Sequence, residues 1–378
     1  MMKKLKLLAT ALLATTVAGT VLAQEFNDPA EFKKQREQLA MTPQGPEGQP
    51  WAQHLGDAMV DTAKYKKDGP VTLCLSNAGV FNPWRVVGLN NLKAEAELHK
   101  DRIKELIVVD AEGKDDKQIS DIAALVNGGK CDALIVSPNT TAALTPAVEA
   151  ACAKLPVVVF DRGVATQCPV TYIHPVGGYG FGITSGDFIA RKLKTGANVL
   201  ALRIMPGVDV LETRYSAAKN IFDEAGLKVI GSEFTGSDRA KTKAIVEDYL
   251  NRGEKIDAIW MDAGDTATAA LEAFEDAGQP YPVISGEDQQ DFLRKWKKEN
   301  LTAIGPSYPT YQWRTAIIGA LDVLDGKSVP GPEWVLPQPA ITQDRLADFI
   351  DERMPPLHYS LCGCQTLPGY PENWGGKK

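Results

Sequence analysis

Histidine is scarce: four in 378 residues, His54, His99, His174 and His358, far apart and outside any motif. No HExxH pair, GxSxG elbow or Walker A loop occurs. Six cysteines are present, but Cys362-Gly363-Cys364 has no second pair at zinc-like spacing. These gaps remove the common hydrolase, NTPase and zinc-site signatures, so no catalytic residue, metal or cofactor is expected. Positive charge is also short. With 41 Lys+Arg against 48 Asp+Glu the formal charge is −7, which argues against nucleic acid and anionic membrane surfaces as partners. Low-complexity tracts are missing. So, beyond the N-terminus, are runs near the roughly 20 apolar residues that a membrane helix needs.

What is there begins with a leader. Lys3, Lys4 and Lys6 precede an apolar stretch and the small-residue site Val21-Leu22-Ala23. This reads as a secretory signal peptide cleaved after Ala23, placing the mature chain in the periplasm at a formal charge of −10. Length favours two domains. Ten short β-rich runs alternate with helical patterns: residues 71–76, 106–111, 133–138, 157–162, 170–173, 198–204, 228–234, 258–263, 283–288 and 301–305. Nearly continuous apolar strands between helices predict parallel sheets covered on both faces, an α/β doubly wound class. Two sheets of about five strands suit the length.

Polar residues gather where those strands end, which is where open α/β sheets place their ligand crevice. They include Asn77, the turn Asn82-Pro83-Trp84-Arg85, Asp110, Ser137-Pro138-Asn139, Asp161-Arg162, Asp262, Asp288 and Ser307-Tyr308. Asp and Asn at such places also cap the helix that follows, so each has two readings. As a set they suit a carbohydrate. Carboxylates accept hydroxyl protons, Arg forks donate to adjacent oxygens, and Trp84 with Tyr308 or Trp313 offers flat area for C–H faces. Arg85, Arg162 and Arg214 together would also suit a sugar acid. Trp260, inside a strand, reads as core.

In chain order, NPW (82–84), KQISDIAALVNGGKCDALIVSP (117–138), PVVVFDR (156–162) and ETRYSAAKNIFDEAG (212–225) resemble a known family. So do WMDAGDTATAALEAFEDAG (260–278), ISGED (284–288) and PSYP (306–309). The chain resembles the ribose-binding-like, type I periplasmic binding proteins of ABC sugar transporters over roughly residues 70 to 350. The resemblance implies two Rossmann-like lobes joined by a three-crossing hinge. By position it implies ligand contacts at Asn82, Trp84, Asp161 and Arg162, at Arg214, Asp262 or its neighbour Ala263, and Asp288, and at Ser307 and Tyr308; Arg85, standing where the family often has a second aromatic, joins this set as a departure from the pattern. It implies a small carbohydrate ligand, an inner-membrane ABC permease as partner, a chemoreceptor as a further partner, and a monomer. A sensing subunit without transport and a glycoside-processing enzyme are the alternatives.

The expected divisions are an extension over 24–70, a first lobe from 71–167 and 308–328, a second lobe from 168–305 and 331–352, and a tail over 353–378. Hinges are expected near 163–171, 305–309 and 326–331, where Gly, Pro and small residues gather. The glycines of 174–182 read as a hinge turn into a helix. Cys131 and Cys152 are expected to pair, one at the start of a strand and the other at the end of the helix that returns. A tail cysteine, Cys362 or Cys364, is set against Cys168. The tail is expected to wrap over a lobe.

Overall fold

The structure is a computed structural model that describes residues 26–378; the leader and its Ala23 cleavage site lie outside the described residues. The extension contributes α1 (Pro29–Gln38) and β1 (Met59–Val60). The first lobe runs β2 (Val71–Asn77), α2 (Pro83–Leu98), β3 (Ile103–Asp110), α3 (Asp115–Asn127), β4 (Ala133–Ser137), α4 (Thr141–Cys152), β5 (Val157–Phe160) and β6 (Thr171–Pro175). The second runs α5 (Gly178–Lys192), β7 (Asn198–Arg203), α6 (Asp209–Glu224), β8 (Lys228–Phe234), α7 (Arg239–Asn251), β9 (Ala258–Met261), α8 (Ala267–Asp276), β10 (Val283–Ser285), α9 (Gln290–Glu299) and β11 (Ala303–Ile304). The chain then returns to the first lobe for α10 (Gln312–Leu324), β12 (Val329–Pro330) and β13 (Glu333–Leu336).

Two parallel sheets result, ordered β13-β6-β5-β4-β2-β3 and β11-β10-β9-β7-β8. Their central strands are apolar throughout because helices cover both faces. Leu73, Leu75, Ile135 and Val158 face one side of the first sheet, and Cys74, Leu134, Val136 and Val159 the other. The second sheet does the same with Leu200 and Ile259 against Val199 and Trp260. Trp260 is core, as expected, and its Nε1 donates to Ser185 Oγ at 2.8 Å.

The expected lobe boundaries at 168 and 331 move. β6 pairs with β5, and β13 pairs with β6, so both strands extend the first sheet instead of opening the second. Segments 163–171 and 326–331 therefore lie inside the first lobe, where β12 also pairs antiparallel with β1. Glycine and proline there serve lobe turns. The crossings fall after β6 at Val176–Gly177, after β11 at Gly305–Ser307, and after β13 at Pro337–Ile341, which bridges back to Gly305. Gln338 ties all three together. Its Nε2 donates to Gly177 O and Ser307 O (3.2 and 2.9 Å), and its Oε1 accepts from Gly177 N at 2.7 Å.

The cysteines are also rearranged. Cys74 joins Cys131, Cys152 joins Cys168, and Cys362 joins Cys364. Residue 131 sits just before β4, beside the neighbouring strand β2 that carries Cys74. α4 carries the chain on to β5, so its last residue, Cys152, comes to lie near the segment entering β6, where Cys168 stands. The expected pairing of Cys131 with Cys152 failed because the helix returns under the next strand over, not under its own. No tail cysteine reaches Cys168.

Candidate functional site

The strand ends of both sheets open onto one cleft beside the crossings. Its cavity is about 80 Å³ and is lined by Phe81, Asn82, Trp84, Arg85, Asp161, Arg162, Arg214, Ala263, Asp265, Glu287, Tyr308 and Tyr359, with an apolar rim from Ile204 to Leu211.

The first lobe's wall is built by the turn that enters α2. Asn82 caps that helix, its Oδ1 accepting from Arg85 N at 2.9 Å, and it also lines the cavity. Pro83 at the first helical position aims the next residues inward. Trp84 Nε1 donates to Tyr308 O at 2.6 Å, and its ring packs on Tyr308 and Trp313. Trp313 itself is core, against Phe160, and offers the cleft nothing. Arg85 is 2% exposed. Its Nη2 meets Asp161 Oδ2 at 2.6 Å, and its Nη1 donates to Asn77 Oδ1 and Ser137 Oγ. Burial pulls the guanidinium down to about 10, opposed by the Asp161 carboxylate. Asp161 stands at φ 70, and its carbonyl accepts from Tyr308 Oη and Tyr172 Oη. Arg162 Nη1 donates to Asn139 O, and its side chain lines the cleft.

The second wall is carried by α6 and the ends of β9 and β10. Arg214 lies over the faces of Phe181 and Tyr308, at 4.2 and 4.7 Å. It donates to Asp262 O and stands 3.7 Å from Glu287 Oε1. The glycines of α5 place it. A Cβ at Gly182 would lie 2.1 Å from Arg214 O, and one at Gly178 would lie 2.0 Å from Thr213 Oγ1. Glycines at 178, 182 and 186 thus let α5 and α6 touch along their backbones. The turn into the helix is Gly177, at φ 133.

Three predicted residues stand behind the wall. Asp262 is fully buried, with Oδ1 accepting from Ile204 N at 2.9 Å, and burial raises it to about 8. Asp288 turns away from the cavity to accept from Leu361 N at 2.6 Å, and burial, then Glu287, raise it to about 7. Ser307 donates to Pro339 O within the crossings. Facing the cavity are Ala263, the expected alternative to Asp262, and Asp265 and Glu287, one to three positions from the predicted carboxylates; burial raises both carboxyls. Arg214 Nε, Asp262 Oδ2, Asp265 Oδ1 and Asp288 Oδ1 have no hydrogen-bond partner among the described residues.

Sequence reasoning missed Tyr359, which comes from the tail; no local pattern marks it. The tail spans both lobes. His358, Cys362 and Cys364 cluster there, His358 Nε2 lying 3.7 Å from each sulfur, and the two sulfurs are bonded to one another.

A periplasmic binding protein domain model matches residues 74–328. The ribose import binding protein of Bacillus subtilis (strain 168) is 33% identical over 259 residues, covering 68% of this chain and 83% of its own. A D-ribose/D-allose-binding protein of Pseudomonas aeruginosa is 26% identical over 247 residues, covering 62% and 76%. Among solved structures, an ABC transporter solute binding protein from Bacillus halodurans C-125 with bound myo-inositol aligns at TM-score 0.66 and 20% identity, covering 75% of this chain and 98% of its own. A galactofuranose binding protein aligns at TM-score 0.66 and 21% identity, covering 74% and 97%. These two likenesses share the two-lobed fold described above.

Proposed function

The chain belongs to the periplasmic binding protein family, and we propose that it captures one small neutral carbohydrate between its lobes and hands it to an inner-membrane ABC permease. The supporting observation is the cleft itself. The faces of Trp84 and Tyr308, the Arg162 and Arg214 forks and the carboxyls of Asp265 and Glu287 converge on one cleft. Rings cover C–H faces while these polar groups hydrogen-bond hydroxyls, and each group left without its hydroxyl costs about 1–3 kcal/mol. A cavity of about 80 Å³ is far below the ~300 Å³ where ordinary ligand pockets begin. That favours a single sugar ring over an oligosaccharide.

Charge narrows the class further. Arg85 is already neutralised by Asp161, and Arg214 has Glu287 beside it. Two of the three cations that would suit a sugar acid are therefore balanced by the cleft's own carboxyls, which supports a neutral sugar or polyol. Of the predicted contacts, Asn82, Trp84, Arg162, Arg214 and Tyr308 are proposed to touch the ligand. Arg85 and Asp161 line the wall and hold its shape, and Asp262, Asp288 and Ser307 support it from behind. The periplasmic location and action as a monomer are part of the same proposal.

The test is calorimetric titration of the protein with D-ribose, D-allose, myo-inositol and a sugar acid. Binding of a neutral member, with the acid at least tenfold weaker, is expected; no binding across the panel refutes the reading. Small-angle scattering on the same sample follows closure. Only a ligand that contacts the open and closed states differently shifts that equilibrium. A radius of gyration unchanged at saturation counts against a moving hinge.

A further inference from the structure

The three crossings expected of this fold are followed by a fourth. Residues 353–361 lie on the second lobe: Asp291 N donates to Pro356 O, Gln290 N to His358 O, and Ser360 N to Asp288 O, at 2.8, 3.0 and 2.9 Å. From Cys362 onward the chain takes partners on the first lobe, while Tyr370 Oη and Lys377 N reach back to Asp351 Oδ2 and Arg353 O at 2.9 Å. Asn91 Nδ2 donates to Cys362 O at 3.0 Å, Arg314 Nη1 donates to Gly363 O, and Trp374 Nε1 donates to Asn91 Oδ1 at 2.8 Å. Hydrogen bonding of the tail to the first lobe thus begins at Cys362, next to the Cys362–Cys364 bond. Tyr359, just before that point, reaches the cavity.

We propose that Tyr359 is a ligand-binding residue, and that the tail forms a third wall of the cleft in which Tyr359 and Glu287 together read one ligand hydroxyl. This rests on the carbohydrate reading above. Tyr359 is 3% exposed, and its Oη donates to Glu287 Oε2 at 3.2 Å. That oxygen also accepts from Gly264 N and Gln289 Nε2, at 3.1 and 3.3 Å, while Oε1 has only Arg214 at 3.7 Å. The pair therefore retains acceptor capacity on both residues facing the cavity. A phenol that donates to Glu287 keeps lone pairs for a ligand O–H, and a hydroxyl, which both donates and accepts, satisfies this pair. Burial holds the phenol well above its ordinary range, so it stays protonated. Backbone pairing of Gln289 with Tyr359 fixes the side chain as a strand neighbour would. The tail lies outside residues 74–328, which the domain model matches.

The test compares wild type with Tyr359→Phe, which removes one oxygen and keeps the ring packing. Titrations use D-ribose, D-allose, myo-inositol and 2-deoxy-D-ribose, with thermal melts of each protein without sugar. The expected result is about tenfold weaker binding of the best sugar by Tyr359→Phe, with the sugar-free protein melting only slightly lower, because Glu287 Oε2 keeps Gly264 N and Gln289 Nε2 as donors. Glu287→Gln should weaken the same sugar, and adding Tyr359→Phe to it should cost less than the two losses combined. Equal affinity of wild type and Tyr359→Phe overturns the inference while leaving the carbohydrate reading standing. So does a lowered melting temperature with unchanged affinity, since that is a brace. If wild type binds no member of the panel, the carbohydrate reading falls and this inference falls with it.

Discussion

The two walls of the cleft handle buried polarity in opposite ways. On the first lobe, Arg85 has Asp161, Asn77 and Ser137 around it, and Asp161 is held through both its carboxylate and its carbonyl. On the second, Asp262, Asp265, Asp288 and Arg214 each keep a polar atom without a partner among the described residues. The first lobe also carries two disulfides, Cys74–Cys131 and Cys152–Cys168, and the second carries none among its described residues. The lesson is a division of labour. One wall is a finished, cross-linked surface. The other stores unmet hydrogen-bonding capacity and protons, and its geometry depends on how closely α5 and α6 approach.

The sharpest way to break this contrast is to unfinish the first wall. Arg85→Met leaves Asp161 buried without its cation, and a loss of about 3–5 kcal/mol is expected in denaturant unfolding. The equivalent cut on the second wall, Asp262→Asn, should cost far less, because burial already favours a proton on that group. Equal losses would erase the distinction. Next in size is the cross-link. Replacing Cys74 and Cys131 together by serine frees a loop of 57 residues' separation and should cost about 2–4 kcal/mol. Hydrogen exchange should report the loss in β2 and β4 and not in β7 or β9.

Gly182→Ala probes the other lobe. Its methyl would meet Arg214 O, a backbone atom that cannot rotate away, so α6 must shift. A cost of about 1–3 kcal/mol is expected, together with weaker binding of the best sugar from the panel. Lost stability with unchanged affinity would detach the helix pair from the site.

The smallest effect is a pH slope. In the folded protein Asp262 and Asp288 hold protons up to about 8 and about 7, well above the 3.8 of a free Asp. The folded state thus binds more protons than the unfolded one, and stability falls as pH rises through this window. Arg214, Arg203 and Asp265 face Asp262, and Glu287 faces Asp288. His358, lowered to about 4 by burial, and His174, also lowered, act in the opposite sense, but only below about 6.5. Melting temperature should therefore decline from about pH 6.5 to 8, and Asp262→Asn should flatten the decline. A rising curve in wild type would refute the assignment.

The fold class was legible because its signal is local. Each of the ten apolar runs overlaps a strand, from Val71–Asn77 to Ala303–Ile304. Which sheet a strand joins is not local. Thr171–Pro175 and Glu333–Leu336 pair with one another although about 160 residues separate them, and no run reveals that. At the site the same divide holds. Arg85, Asp161 and Tyr308 follow strand ends or a proline-started helix, where direction is set by the neighbouring residues. Beyond β9 and β10 the alternation stops, and a single position decides whether a carboxyl faces the cavity. Glu287 faces it and Asp288 does not, because Asp288 is turned by Leu361, 73 residues onward.

The left-handed turn at Asp161 has a use of its own. An L-residue there gives up roughly 1–2 kcal/mol against a right-handed conformation; glycine relieves it, and aspartate and asparagine bear it better than other L-residues through local hydrogen bonds of their short side chains. Backbone ease and side-chain charge are thereby uncoupled at one address. Asp161→Gly leaves the position relaxed and bare. Asp161→Asn keeps the aspartate's backbone tolerance and shape and removes only its charge. The native aspartate alone accepts the awkward backbone and keeps the carboxylate. A three-member series at this single codon therefore separates how much of the cleft's order is conformational from how much is ionic, without substituting any other residue of the lobe.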